Sequence, residues 1–284
     1  MENHTRMPLL PISTPRTLQA CKNLQCKNNT VFIASYPKSG TTWLQNIVFE
    51  LASNGNIDLD HISNYCPFYE AESIWTFSEE GTPTLEKISE YQQRLGLQIF
   101  NTHLLPSMLP MQGKEKYIYI VRNPKDVCTS YYRHLSSQAV EDGGYKGTLD
   151  QFVDEWCNGE IAYGTWRNHV SNWETEKSNP ALLFLQYEEL KKDLKANVTK
   201  ISEHLGLKRT EEEVQRVVEA SSFQRMRANQ AKFHPRSVQW RDQSFNFLRK
   251  GIVGDSQNLL RAEHHQRITR DLQGFQSKIC SVSY

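Results

Sequence analysis

Short apolar runs recur along the chain at spacings that suit strands separated by helices. The four clearest are VFIAS, LQIFN, YIYIV and ALLFLQ, at residues 31–35, 97–101, 117–121 and 181–186. They are largely continuous, which is typical of strands buried on both faces of a parallel sheet. The pattern predicts an α/β fold: a single domain in which helices flank a central parallel β-sheet.

Segments with helical periodicity follow these runs. TTWLQNIVFELA (41–52) repeats apolar residues at i, i+4 and i+8. RNPKDVCTSYYRHL (122–135) begins with Asn123, a good N-cap, and Pro124, a good first helical residue. Residues 187–207 carry one apolar stripe that ends near a glycine, which predicts one amphipathic helix.

Length and composition narrow the class of protein. The 284 residues suffice for one large α/β domain, and no linker or repeat divides them. We therefore expect an N-terminal arm at residues 1–25 and a single domain at 26–284. No signal peptide and no run near the ~18 apolar residues of a membrane span are evident. Six cysteines without paired spacing favour a reducing, cytoplasmic location and argue against a zinc site.

Charge balance limits the partners. Lys and Arg number 33 against 32 Asp and Glu, so no global field recruits nucleic acid or an anionic membrane. An anionic ligand must therefore be held by local features of the sequence.

The stretch YPKSGTTW (36–43) lies between a predicted strand and a predicted helix. The free backbone N–H groups and the helix dipole of such a turn attract anions. Gly40 permits close approach of the backbone, Thr41 and Thr42 add hydroxyl donors, and Lys38 adds a charge. Because the lysine precedes the glycine, the turn is P-loop-like without being the Walker A sequence of ATP and GTP sites. A plain strand-turn-helix connection with a surface lysine is the alternative.

Further polar residues follow the other predicted strands. Ligands of open parallel sheets lie beyond the carboxyl ends of the strands, where His103, Arg122 and Tyr187 are expected. Ser130 lies two turns down the helix after Arg122. Near the C-terminus, FLRKGIVGD (247–255) brings Arg249 and Lys250 before two glycines, a composition suited to a second phosphate.

With these motifs together, the chain from about residue 31 to 255 resembles the cytosolic sulfotransferases, which use 3′-phosphoadenosine 5′-phosphosulfate (PAPS) without a metal. The resemblance implies that the 36–43 turn holds the 5′-phosphosulfate and that RNPKDVCTSYY and FLRKGIVGD hold the 3′-phosphate. The residues it implies for PAPS are Lys38, Ser39, Gly40, Thr41, Thr42, Trp43, Arg122, Ser130, Tyr187, Ser221, Phe223, Arg249, Lys250 and Gly251. Trp43 would stack on adenine, and Tyr187, Ser221 and Phe223 would contact it.

The resemblance also implies the chemistry. His103 would act as the general base for a hydroxyl or amine of a small aromatic or alcohol acceptor, and Lys38 would stabilise charge on the leaving phosphate. CPFYE (66–70) resembles the acceptor side of the family, so Phe68, Tyr69 and Trp75 would line an apolar pocket. Packing in the core is the alternative for Tyr69 and Trp75.

The chain departs from the family at three places. Asn101 stands where a lysine is typical, and Ser256 stands where a tryptophan commonly follows the GD pair. SQNLLRAEHHQ, at residues 256–266, lacks the family's pairing motif, so we expect a monomer or a weak dimer.

Two other functions stay open. A nucleotide or small-molecule kinase would also need an anion cradle, but it predicts a Walker A turn and carboxylates for Mg²⁺, neither of which has a clear candidate. A non-catalytic PAPS-binding relative is compatible with Asn101, and acceptor turnover alone separates it from an enzyme.

Overall fold

The computed structural model describes residues 7–77, 83–242 and 244–275. Its strands are β1 Thr30–Ser35, β2 Thr76–Phe77, β3 Pro83–Thr84, β4 Gln98–Thr102, β5 Lys116–Val121 and β6 Leu182–Gln186. The helices are α1 Pro15–Asn23, α2 Thr41–Ser53, α3 Ile62–Tyr65, α4 Glu86–Leu95, α5 Pro124–Ser137, α6 Leu149–Asn158, α7 Trp166–Thr175, α8 Tyr187–Lys192, α9 Leu194–Leu205, α10 Glu211–Ala220, α11 Phe223–Ala228 and α12 Ala262–Asp271. Within the described ranges, no helix is long and apolar enough to cross a membrane.

The central sheet contains the four strands that the apolar runs predict. Their order is β4-β1-β5-β6, and every neighbouring pair is parallel. Phe32, Tyr117 and Tyr119 point to one core, while Ile33 and Ile118 point to the other. Burial on both faces explains why the strands are apolar throughout, and the predicted α/β class is confirmed.

The segment 187–207 forms two helices instead of the predicted one. Asp193 interrupts it with φ −140°, and its side chain accepts a hydrogen bond from the Ala196 N–H at the start of α9. A short polar side chain that caps a helix in this way competes with continuation of the preceding one. The apolar stripe survives because α8 and α9 pack against the same core, through Leu190 and Val198.

A long connection covers the carboxyl end of the sheet. Gln138, just after α5, forms an isolated antiparallel bridge with Trp240, and the Arg241 N–H donates to the Ser137 carbonyl at 2.9 Å. Residues 229–242 and 244–248 therefore lie over the crevice into which the strand ends open. Most of the site described below is built between this connection and the sheet.

Candidate functional site

A cavity of about 350 Å³ lies beyond the carboxyl ends of β1, β4, β5 and β6. It is large enough for a ligand of moderate size. Fourteen of the residues singled out from the sequence line it: Lys38, Gly40, Thr41, Thr42, Trp43, Phe68, His103, Arg122, Ser130, Tyr187, Phe223, Arg249, Lys250 and Gly251. The structure thus brings together motifs that are up to about 200 residues apart in the sequence.

The turn between β1 and α2 has the backbone geometry of an anion cradle. Lys38 has φ +67° and Gly40 has φ +113°, both left-handed. A Cβ at Gly40 would lie 2.9 Å from Cδ2 of Tyr187, so only glycine fits. The Ser39 Oγ is buried and finds no hydrogen-bond partner among the described residues. An unpaired buried hydroxyl in such a turn suits a phosphate or sulfuryl oxygen.

The Lys38 side chain lines the cavity and contacts His134 and Phe247. Its Nζ lies 3.3 Å from Nδ1 of His134 and 4.1 Å from the centre of the Phe247 ring. Burial, followed by the nearby charge of Arg122, lowers the pKa of Lys38 to about 7. The free protein therefore holds this amine poised between its charged and neutral forms near neutral pH.

The tautomer of His103 is fixed by the end of β1. Its Nδ1 lies 2.8 Å from the Ser35 carbonyl oxygen, which can only accept, so Nδ1 carries the proton. The lone pair is then on Nε2. Burial, with a contribution from the charge of Lys38, lowers the pKa of His103 to about 4. The ring is consequently neutral at pH 7 and can take up a proton from a bound hydroxyl.

Buried polar groups hold the backbone of His103 as well as its ring. The His103 N–H donates to Oε1 of Glu70 at 2.7 Å, and the His103 carbonyl oxygen lies 3.0 Å from Nε2 of His169. Glu70 is fully buried, and burial raises the pKa of this carboxyl to about 7. Neither Glu70 nor His169 was among the sequence candidates, although Glu70 ends the CPFYE motif.

Arg122 lies between the turn after β1 and the segment around Ile252. Its guanidinium lies 4.3 Å from the centre of the Tyr187 ring, and Nη2 donates to the Ile252 carbonyl at 3.0 Å. Nη2 also lies 3.5 Å from Oδ2 of Asp126. The Nε atom is buried with no partner in the described part of the chain. These contacts fix the orientation of the Arg122 guanidinium, which still has N–H groups available to an anion.

The segment around Gly254 is fastened to the start of α5. Asp126 accepts hydrogen bonds from the backbone N–H groups of Gly254 at 2.8 Å and of Ser256 at 2.9 Å. Arg249 and Lys250 both pair with Asp255, the latter at 3.1 Å. Because the segment closes through its backbone, the missing tryptophan at position 256 does not open it. Asp126 was not singled out from the sequence.

Aromatic rings gather at the side of the cavity where adenine is expected. Trp43 and Tyr187 meet edge to face at 5.6 Å, and the Trp43 indole N–H donates to the Ser221 carbonyl at 2.8 Å. A Cβ at Gly251 would lie 2.4 Å from Cδ2 of Phe223, so these two residues are packed without space. Ser221 is buried behind Trp43, and neither Ser221 nor Ser39, which lies in the turn after β1, is among the residues that line the cavity.

The acceptor side contains one of the three predicted aromatic residues. Phe68 lines the cavity 5.5 Å from the ring of His103. Tyr69 and Trp75 do not: both are buried in the core, where the Tyr69 hydroxyl donates to the Cys21 carbonyl at 2.8 Å. The Trp75 indole N–H donates to the Tyr69 carbonyl at 2.7 Å. Their hydrogen-bond partners explain why these aromatic side chains turn inward.

The segment before α1 forms part of the cavity wall. Leu10 and Ile12 line it. The segment is held because the Pro8 carbonyl accepts from the Tyr163 N–H at 2.7 Å and the Ile12 carbonyl accepts from the Glu72 N–H at 2.9 Å. From residue 7 onward, the region predicted as an arm is packed against the remainder of the fold.

Asn101 faces the cavity but its amide is engaged. Its Nδ2 donates to the Cys66 carbonyl at 2.9 Å. The side chain therefore supports the segment that carries Phe68, and it supplies no charge in place of the typical lysine.

The fold and the site define a parallel α/β protein with an anion-binding turn, a neutral histidine and basic clamps in one cavity. Residues 28–278 match the family described as the sulfotransferase domain. Among similar proteins, sulfotransferase 1E1 of Cavia porcellus is 34% identical over 243 residues, which cover 82% of this chain and 78% of that protein. Human sulfotransferase 1E1 is 33% identical over 245 residues, covering 82% and 79%.

Solved structures agree with this assignment. Mouse sulfotransferase SULT7A1 complexed with PAP superposes with a TM-score of 0.71 at 26% identity, over 93% of this chain and 91% of that one. Retinol dehydratase in complex with androsterone and inactive cofactor PAP gives 0.72 at 20% identity, over 96% and 88%, which shows the shared fold. The chain belongs to the sulfotransferase family.

Proposed function

We propose that this protein transfers the sulfuryl group of PAPS to the hydroxyl or amine of a small aromatic or alcohol acceptor. The family supports the class of reaction and the co-substrate. The observation that carries the assignment to this cavity is the convergence of the Lys38 turn, neutral His103 and Arg122. Among the described residues, no cluster of three or more His, Cys, Asp or Glu is arranged to hold a metal ion.

The residues support an in-line transfer. Nε2 of His103 takes the proton of the acceptor hydroxyl while its oxygen forms a bond to sulfur. The bond between sulfur and the 5′-phosphate oxygen breaks on the opposite side, and its electron pair stays on that oxygen. Protonated Lys38 and the N–H groups of the 36–43 turn stabilise the developing charge. The products are the sulfated acceptor and adenosine 3′,5′-bisphosphate (PAP).

The remaining basic residues suit the 3′-phosphate. The Arg122 Nε is buried without a partner among the described residues, and Ser130, Arg249 and Lys250 line the same cavity as Gly251. A guanidinium with free donor capacity suits a phosphate dianion. Trp43 and Phe223 offer apolar faces for adenine. The apolar acceptor side, with Phe68, suits a flat ring.

The first test is transfer from ³⁵S-labelled PAPS to a panel of phenols, sterols, aliphatic alcohols and amines. Label in an acceptor supports the proposal and ranks the acceptors. Tight binding of PAP with no transfer to any acceptor would instead favour a non-catalytic relative. Transfer of phosphate from ATP without sulfuryl transfer would favour the kinase.

The roles of two residues are tested separately. His103→Ala should lower turnover by roughly 10²-fold to 10⁴-fold and leave PAP affinity unchanged, as expected for a general base. Arg122→Ala should weaken binding of PAP much more than binding of 5′-AMP, which lacks the 3′-phosphate. Turnover near wild type in His103→Ala would show that His103 is not the general base. Equal losses of affinity for PAP and 5′-AMP in Arg122→Ala would show that Arg122 does not bind the 3′-phosphate.

We further propose a cytoplasmic monomer or weak dimer in which residues 26–284 form one domain. Five free cysteines are buried in the described part of the chain, which suits a reducing compartment. Arg261, in the segment where the pairing motif is absent, lies 2.7 Å from Asp150 of the same chain. Sedimentation at micromolar concentration tests the oligomeric state.

A further inference from the structure

His134 lies on the same face of α5 as Ser130, one turn further along, and lines the cavity. Its ring packs against Trp240 at 5.2 Å, Phe245 at 6.1 Å and Phe247 at 5.9 Å. All three belong to the connection that covers the crevice. The imidazole is therefore fixed between the helix and this cover, with Nδ1 directed at the amine of Lys38.

The Lys38–His134 contact has a defined polarity. A protonated amine has only donors, so Nδ1 of His134 accepts the hydrogen bond at 3.3 Å and the ring proton is on Nε2. Burial, followed by the charge of Lys38, lowers the pKa of His134 well below its usual range. The imidazole is consequently neutral and able to accept at neutral pH.

The amine of Lys38 also contacts the ring of Phe247. Its Nζ lies 4.1 Å from the centre of the Phe247 ring, a distance that suits a cation–π contact. Both contacts favour the charged form of the lysine, whereas burial and the charge of Arg122 oppose it. The other titratable groups that face the pair are His103 and His234.

We propose that His134 is a positioning residue for Lys38: its Nδ1 accepts a hydrogen bond that favours the ammonium form and aims it at the sulfuryl-transfer side of the cavity. The consequence for catalysis rests on the proposed function. The position of Lys38 matters because Asn101, which stands where the family typically has a lysine, carries no charge and donates to the Cys66 carbonyl. Lys38 is also the cation whose charge reaches His103.

The test follows the titration of Lys38 itself. Lysine labelled with ¹³C at Cε is observed by NMR from pH 5 to 11, and the Lys38 signal is assigned by its loss in Lys38→Arg. In His134→Leu the pKa of Lys38 should fall by about one unit or more, the size expected for a lost hydrogen bond to a charged group. His134→Asn should restore it, because an amide oxygen can occupy the place of Nδ1.

A matched control and a folding check accompany these variants. His234→Leu changes a histidine that packs on the same Trp240 ring, at 4.7 Å, and should leave the Lys38 titration unchanged. Calorimetric binding of PAP shows that each variant is folded. If His134→Leu does not fold, His134→Gln replaces it, since its longer side chain moves the amide oxygen away from the position of Nδ1.

Kinetics give an independent readout. The basic limb of kcat/KM for PAPS should move to lower pH in His134→Leu and return in His134→Asn. The proposal would be overturned if the pKa of Lys38 in His134→Leu equalled that of the wild type. It would also be overturned if His234→Leu shifted the pKa of Lys38 by the same amount as His134→Leu. A wild-type protein that transfers no sulfuryl group would refute the proposed function, whereas the NMR titration would still decide whether His134 holds the charge of Lys38.

Discussion

Binding of PAP should take up a proton at Lys38. In the free protein, burial and the charge of Arg122 lower the pKa of this amine to about 7. Phosphate oxygens in the adjoining turn favour the ammonium and should return its pKa toward the ordinary value of about 10.4. Because the pKa is lower in the free state than in the bound state, affinity for PAP should fall as the pH rises through the window between them.

The magnitude follows from the fraction of free protein that carries the charge. About half of the Lys38 amines are protonated at pH 7 and about 1% at pH 9, so PAP should bind roughly 50-fold more weakly at pH 9 than at pH 7. At pH 8, each PAP bound should bring about 0.9 of a proton with it. Titration calorimetry at pH 8 in two buffers with different ionisation enthalpies measures this uptake directly.

Lys38→Arg is the matched control, because arginine keeps its charge throughout this range. Its affinity for PAP should be nearly constant from pH 7 to 9. Any uptake that persists in this variant belongs to another group, and Glu70, whose pKa burial raises to about 7, is one candidate. Uptake near zero in the wild type, with constant affinity, would show that Lys38 is already charged in the free protein and would refute the reasoning.

Three substitutions test other parts of the site. Gly251→Ala should weaken PAP binding about tenfold, because the new Cβ would lie 2.4 Å from the Phe223 ring. Gly254→Ala is the control: Gly254 also has a positive φ but has open space around it, so this variant should bind PAP normally. Equal losses in both variants would show that backbone strain alone causes the effect. Tyr69→Phe should cost about 1 kcal/mol of stability and leave KM for the acceptor unchanged, and a changed KM would return Tyr69 to the pocket. Asn101→Ala should lower the melting temperature without lowering turnover, and a loss of turnover would assign Asn101 a part in the chemistry.

The four strands and the sheet edge they share could be predicted from the sequence, because short continuous apolar runs between helical segments are typical of buried parallel strands. Residues placed directly after strands, such as His103 and Arg122, then lie at one edge by topology alone. The helical stripe of residues 187–207 was less informative, because two helices packed on one core preserve the same period. Asp193, a capping side chain in the middle of that stripe, was the signal for the break.

Side-chain direction was harder to predict. Tyr69 and Trp75 are aromatic residues near the site, but their direction depends on main-chain carbonyls that no local pattern reveals. His134 and Glu70 were missed for a related reason, since their roles arise from contacts across long sequence separations. The spacing of four residues between Ser130 and His134 on one helix could have indicated that both face the cavity.

The wall formed by Leu10 and Ile12 has a practical consequence. These residues line the cavity and lie outside the 36–43 turn, so under the proposed function changes near the N-terminus should alter which acceptors fit more than they alter PAPS binding. Under the proposed function, an affinity tag fused just ahead of this segment, or its removal by a protease, should change the acceptor profile measured for the purified protein. Acceptor screens are best compared between tagged and tag-free preparations.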